Sequence, residues 1–141
     1  MSMFTSAMFL EAMENTCRNI HEWALSKGFW DEKERLFSID GCQGEQEVKI
    51  KTRPWNFGEK IALVHSELSE ALEKHRKHLG KGEKDAPDEH CPEHGGVEIE
   101  LADTVIRIMD LCGKMKIDLG RAIMSKMAYN QNREHKHGKG Y

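Results

Sequence analysis

The sequence predicts an all-α fold, a bundle of four to five helices whose apolar surface is completed by self-association. Apolar residues recur at helical spacing in four segments, and capping or stopping residues stand at the ends of those segments. The 141 residues are enough for one domain, 1–141, but a hydrophobic share of 38% and a mean hydropathy of −0.68 are low for a chain that buries its whole interior alone.

The first helix is expected from about Thr5 to Lys27, with Phe9, Met13, Cys17, Ile20 and Ala24 on one face and Gly28 placed to stop it. From about 29 to 55 the helical period is lost, and a long connection is expected. Turn signals stand at Ile39-Asp40-Gly41 and Gln43-Gly44, and Glu47 to Lys51 can form one strand of a hairpin. A second helix is written more clearly. Asn56 caps it, Glu59 completes a capping box, and Phe57, Ile61, Val64, Leu68, Ala71 and Leu72 form its apolar stripe until near Gly80.

Residues 80–96 carry glycines, Pro87 and Pro92 among many charges, which is the composition of a long loop. The third helix runs from about Val97 to Lys114 with Val97, Leu101, Val105, Ile108 and Cys112 as its stripe. Asp118 then caps a fourth helix, through Leu119, Ala122, Ile123 and Met127 to about Arg133, and the polar tail 135–141 is expected to be extended. No repeat or low-complexity tract interrupts this order.

With 21 basic and 24 acidic residues, a net charge of −3 argues against binding of nucleic acid polymers or anionic lipid. No apolar run approaches the roughly 20 residues needed to span a bilayer, and residues 1–10 lack the pattern of a signal peptide, so a cytoplasmic protein without membrane association is expected. Cys17, Cys42, Cys91 and Cys112 are scattered and read as free thiols. His90, Cys91 and His94 could hold zinc, although a polar loop is the simpler reading.

Chemistry enters with two acidic pairs. Glu67 and Glu70 are three apart on the second helix, in a row continued by Leu63 and Lys74; Glu100 and Asp103 repeat the arrangement on the third, in a row continued by Arg107 and Asp110. A Glu-rich helix shows such pairs by chance as a solvated face. Their matching position beside two apolar stripes distinguishes them. Antiparallel packing of the helices would bring four carboxylates together, and an all-oxygen set suits Mg²⁺ or Mn²⁺. Lys126, Asn130 and Arg133, spaced four and three apart on the last helix, offer an ammonium, an amide and a guanidinium of the kind that bind phosphate. An ordinary cationic helix end accounts for them equally well.

The run from Phe57 to Glu73, with Glu67 and Glu70, followed by Val97 to Asp103, with Glu100 and Asp103, resembles the ExxE and ExxD signature of MazG-like nucleotide pyrophosphohydrolases, the all-α NTP pyrophosphatase superfamily. Ile20 to Ala24 with Lys27 to Asp31, and Lys126 to Asn130 with Arg133 and His137-Gly138, resemble its small phage-type members. The 29 residues between Glu70 and Glu100 exceed the usual family spacing, and the excess falls in the 80–96 loop.

The resemblance implies Mg²⁺, replaceable by Mn²⁺, held by Glu67, Glu70, Glu100 and Asp103, which are also the catalytic residues. It implies phosphate contacts from Lys126 and Asn130, with Arg133 beside them. The implied reaction is hydrolysis of a nucleoside or deoxynucleoside triphosphate to monophosphate and pyrophosphate, in nucleotide-pool house-cleaning, by a homodimer or homotetramer. One of the four carboxylates, Glu67 or Glu70 foremost, would serve instead as general base. For the base and sugar, His21 and Trp55 lead a group that includes Trp23, Trp30 and Tyr129. A phosphoribosyl-ATP pyrophosphatase, a noncatalytic nucleotide-binding module and a purely structural helical domain are the alternatives.

Overall fold

A computed structural model of the chain describes residues 6–31, 34–41, 44–51 and 55–133. Among these, four α-helices carry the fold: α1 (Ser6–Ser26), α2 (Phe57–Lys77), α3 (Gly96–Met115) and α4 (Leu119–Gln131). The all-α expectation holds for this body. The connection after α1 departs from it, because strands β1 (Glu34–Gly41) and β2 (Gly44–Lys51) pair antiparallel from Glu34 opposite Lys51 to Gly41 opposite Gly44. Val48 and Ile50 alternate with lysines in β2, a period of two that belongs to strands. The expected start at Thr5, the turn residue Gln43, Cys42, and the tail 135–141 lie outside the described residues.

The chain divides into two compact units, Met1–Glu22 with Ile108–Tyr141, and Trp23–Arg107. In the first, α4 and the C-terminal part of α3 pack on α1 through glycines. A Cβ on Gly113 would lie 2.6 Å from the Cys17 carbonyl oxygen and from His21 Cβ, and one on Gly120 would lie 3.1 Å from Met13 Cβ. Cys17, Leu111 and Cys112 are buried here. Burial pushes both thiols up, and for Cys112 the neighbouring Cys17 adds to the effect. His21 Nδ1 lies 2.7 Å from Asp110 Oδ1.

Helix ends follow local chemistry. Gly28, at φ +74°, closes α1 as expected, with the Phe29 amide donating to the Ala24 carbonyl. Asn56 Oδ1 accepts from the Gly58 amide at 2.8 Å and caps α2. The same closing pattern ends α3, where Ile117 N–H donates to the Cys112 carbonyl, but Lys116 occupies the left-handed position at φ 54°. Asp118 caps α4 by accepting the Arg121 amide, which lowers its carboxyl.

In the second unit the buried side only partly matches the apolar pattern, keeping Val64 and Ala71 of the expected stripe but adding carboxylates. Val64, Glu67 and Ala71 of α2 and Glu100 and Thr104 of α3 are buried. Leu68, Leu72, Leu101 and Val105, counted among the apolar stripes, are 42–48% exposed. The two helices thus turn carboxylates inward and much of their aliphatic stripe outward.

The segment after α2 is more ordered than loop composition suggests. A short 3-10 turn spans Leu79–Lys81, and Pro87 bridges to Gly95. The Gly96 amide donates to the Ala86 carbonyl at 2.8 Å and the Asp88 amide to the His94 carbonyl at 2.9 Å. Asp85 Oδ2 accepts the Val97 amide at 2.9 Å and satisfies the first turn of α3 from a distance in sequence.

Candidate functional site

Residues three apart on a helix project from adjacent turns, and α2 and α3 each direct one buried carboxylate to a common point. Glu67 and Glu100 are each only 6% exposed. One oxygen from each of Glu67, Glu100 and Asp103 lies within 4.8 Å of the others, the one such acidic, His or Cys group among the described residues. Glu70, the fourth expected ligand, is exposed and lines the same cleft, but it stands outside this cluster.

Two buried carboxylates demand positive charge. The rows themselves supply it: Arg107 donates to Glu67 Oε1 from Nε at 2.6 Å and Nη2 at 2.5 Å. Lys74 Nζ sits 2.7 Å from Glu100 Oε1 and 3.0 Å from Asp88 Oδ2. Asp88 Oδ1 in turn accepts the His90 and Cys91 amides at 2.9 and 3.2 Å. The His90 amide and the Lys74 ammonium hold the Asp88 carboxyl down at about 2. Lys74 is raised well above the ordinary lysine value by Glu100 and Asp88. Burial pushes Glu67 up, and Arg107 only partly offsets this.

The cleft around these groups measures about 810 Å³, within the range of small-molecule sites. Its walls carry seven carboxyls (Glu67, Glu70, Asp85, Asp88, Glu89, Glu100, Asp103) against Lys74, Lys77 and Arg107, so it remains an attractor for cations after its internal pairing. Asp85 Oδ1 is buried there without a hydrogen-bond partner, a further oxygen suited to a cation.

Lys126, Asn130 and Arg133 belong to the first unit; Lys126 Nζ lies 4.7 Å and the Arg133 guanidinium 5.5 Å from the Tyr129 ring centroid. His21, also in the first unit, is held at Asp110. Trp55 packs edge-on against Trp30 at 5.5 Å, and Lys60 lies over Trp30 at 3.7 Å. Among the described residues His90, Cys91 and His94 do not bring their ligand atoms together as a metal group, and His94 Nδ1 lies 3.2 Å from Glu98 Oε2.

Lys74 and Arg107 were visible only as continuations of the acidic rows, four residues beyond Glu70 and Asp103. Each bonds instead to a carboxylate on another element, which helical spacing cannot reveal. Asp88 carried no signal beyond a turn-forming residue after Pro87. No known protein family, curated protein or solved structure matches the chain. No helix of the described residues is long and apolar enough to cross a membrane.

Proposed function

We propose that this chain is a divalent-metal-dependent hydrolase that converts a nucleoside triphosphate to monophosphate and pyrophosphate. The observation that carries the reading is the convergence of Glu67, Glu100 and Asp103 oxygens from the ExxE and ExxD rows, within 4.8 Å of one another. The donor set fits the cofactor: all the ligand atoms are carboxylate oxygens, the cleft is net negative, and hard ions such as Mg²⁺ or Mn²⁺ prefer such oxygens. Glu67, Glu100 and Asp103 would hold the ion, with Glu70 at the mouth.

When bound, the ion supplies Lewis acidity toward phosphate oxygens and lowers the pKa of a coordinated water. The chain's own residues divide the remaining work. Glu67 is buried, with Arg107 on its Oε1, and would ligate through its other oxygen, whereas exposed Glu70 can take a proton from the attacking water. Arg107, 40% exposed on the cleft wall, offers guanidinium hydrogens to phosphate oxygens. Lys126, Asn130 and Arg133 stay candidates for phosphate contact on the motif resemblance, and His21 and Trp55 candidates for nucleoside contact on the capacity of imidazole to bond and indole to stack. The outward apolar residues of α2 and α3 support a homo-oligomer.

The test is a panel of canonical and modified NTPs and dNTPs assayed for pyrophosphate release with Mg²⁺ or Mn²⁺. Glu70→Gln and Asp103→Asn are expected to abolish release while circular dichroism stays unchanged. Binding without any release across the panel makes the chain a nucleotide-binding module instead.

A further inference from the structure

Lys74 does not behave as its helical position suggests. Four residues after Glu70, it has an ordinary surface partner available one turn away. It reaches instead to Glu100 at 2.7 Å and Asp88 at 3.0 Å, joining a carboxylate of the metal-ligating set to the 82–95 segment. The path is shaped for this reach: a Cβ on Gly96 would lie 2.6 Å from Lys74 Cδ and 3.2 Å from its Nζ, so the lysine stem passes over a residue without a side chain.

We propose that Lys74 is a displaceable counter-cation, which occupies Glu100 in the ion-free protein, ties the 82–95 segment to the carboxylates through Asp88, and yields Glu100 to the incoming divalent ion. The inference rests on the reading of Glu67, Glu100 and Asp103 as metal ligands. An ammonium and a divalent ion repel on one carboxylate. A Mg²⁺ ion needs its oxygens at about 2.0–2.1 Å, inside the shell that the ammonium holds.

Displacement has a second effect. Asp88 is buried and anchors its segment through the His90 and Cys91 amides, while the Gly96 to Ala86 and Asp88 to His94 bonds make the segment one stitched piece. Lys74 is its ionic link to α2. Metal loading and release of this segment are therefore coupled, and Lys74 is the positioning residue that couples them.

The experiment uses the full chain with Mn²⁺ alone as the probe. Calorimetry measures Mn²⁺ affinity of wild type, Lys74→Gln and Asp88→Asn, and hydrogen exchange follows amides 82–96 with and without Mn²⁺. Lys74→Gln is expected to bind Mn²⁺ about fivefold or more tighter. Mn²⁺ should accelerate exchange in wild type, whereas Lys74→Gln should exchange fast already and respond little. Asp88→Asn should loosen the segment without Mn²⁺. Unchanged or weaker Mn²⁺ affinity in folded Lys74→Gln overturns the proposal. Should that variant not fold, unaltered exchange in wild type on adding Mn²⁺ overturns it equally. Mn²⁺ binding with this coupling but without pyrophosphate release overturns the hydrolase reading and leaves the role of Lys74 standing.

Discussion

Glu67 sits where burial and a guanidinium pull in opposite directions, and burial wins, so its carboxyl is raised above 4.5. With a raised folded-state value, its contribution to stability is fully present below about 4.5 and is lost as pH rises through the higher value. A divalent ion on Glu67 selects its ionised form, which burial disfavours. The thermal shift produced by Mn²⁺ should shrink on acidification while the pH is still above 4.5, earlier than for an ordinary glutamate. A shift independent of pH down to 4.5 contradicts this. Arg107→Met strips Glu67 of its partner. Because the arginine is 40% exposed, the expected loss is about 1–2 kcal/mol rather than that of a fully buried pair. Denaturant midpoints across a falling pH series check it, since protonation of Glu67 should narrow the gap.

At the scale of elements, the helix ends were the most legible part of the sequence. Asn56, Asp118 and Gly28 act where their chemistry places them, because caps depend only on neighbours within a turn. Lys116 is the exception, a side-chain-bearing residue at the left-handed closing position of α3. Lys116→Gly removes a penalty of about 1–2 kcal/mol at the cost of about 0.5–1 kcal/mol in chain entropy. A net gain of about 0.5 kcal/mol is expected, seen as a raised melting temperature. The ExxE and ExxD spacing likewise announced that acids would share a helix face. It did not announce that Lys74 and Arg107 would bond across elements, or that Asp88 would join them, since those partners are fixed by packing. The hairpin was half legible: Val48 and Ile50 alternate plainly, but the segment 34–41 carries no comparably clean alternation.

At the scale of the whole molecule, apolar periodicity located the helices and picked out buried Cys17, Ala24, Val64, Ala71 and Cys112, but it also marked residues that this chain leaves open. A stripe records which side avoids water without saying whether the same chain or another provides the cover. Leu68, Leu72, Leu101 and Val105 therefore read as interior while standing half open. Self-association through them is the expected outcome. Sedimentation velocity should find the wild type as a dimer or larger, and Leu68→Glu with Leu101→Glu should weaken assembly about tenfold or more. A wild-type chain that stays monomeric at high concentration contradicts the assignment.

The two buried sulfurs of the first unit, Cys17 and Cys112, make that unit its own clock. Alkylating reagents attack thiolates, and both thiols are shielded and hard to ionise while the helices stay packed. Cys91, half-buried in the second unit, needs no such opening. Under a pulse of iodoacetamide, Cys91 should be modified before Cys17 and Cys112, and these two only as often as α1 parts from α3, so mass spectrometry of the tagged peptides would time the breathing of one unit while the other serves as its reference.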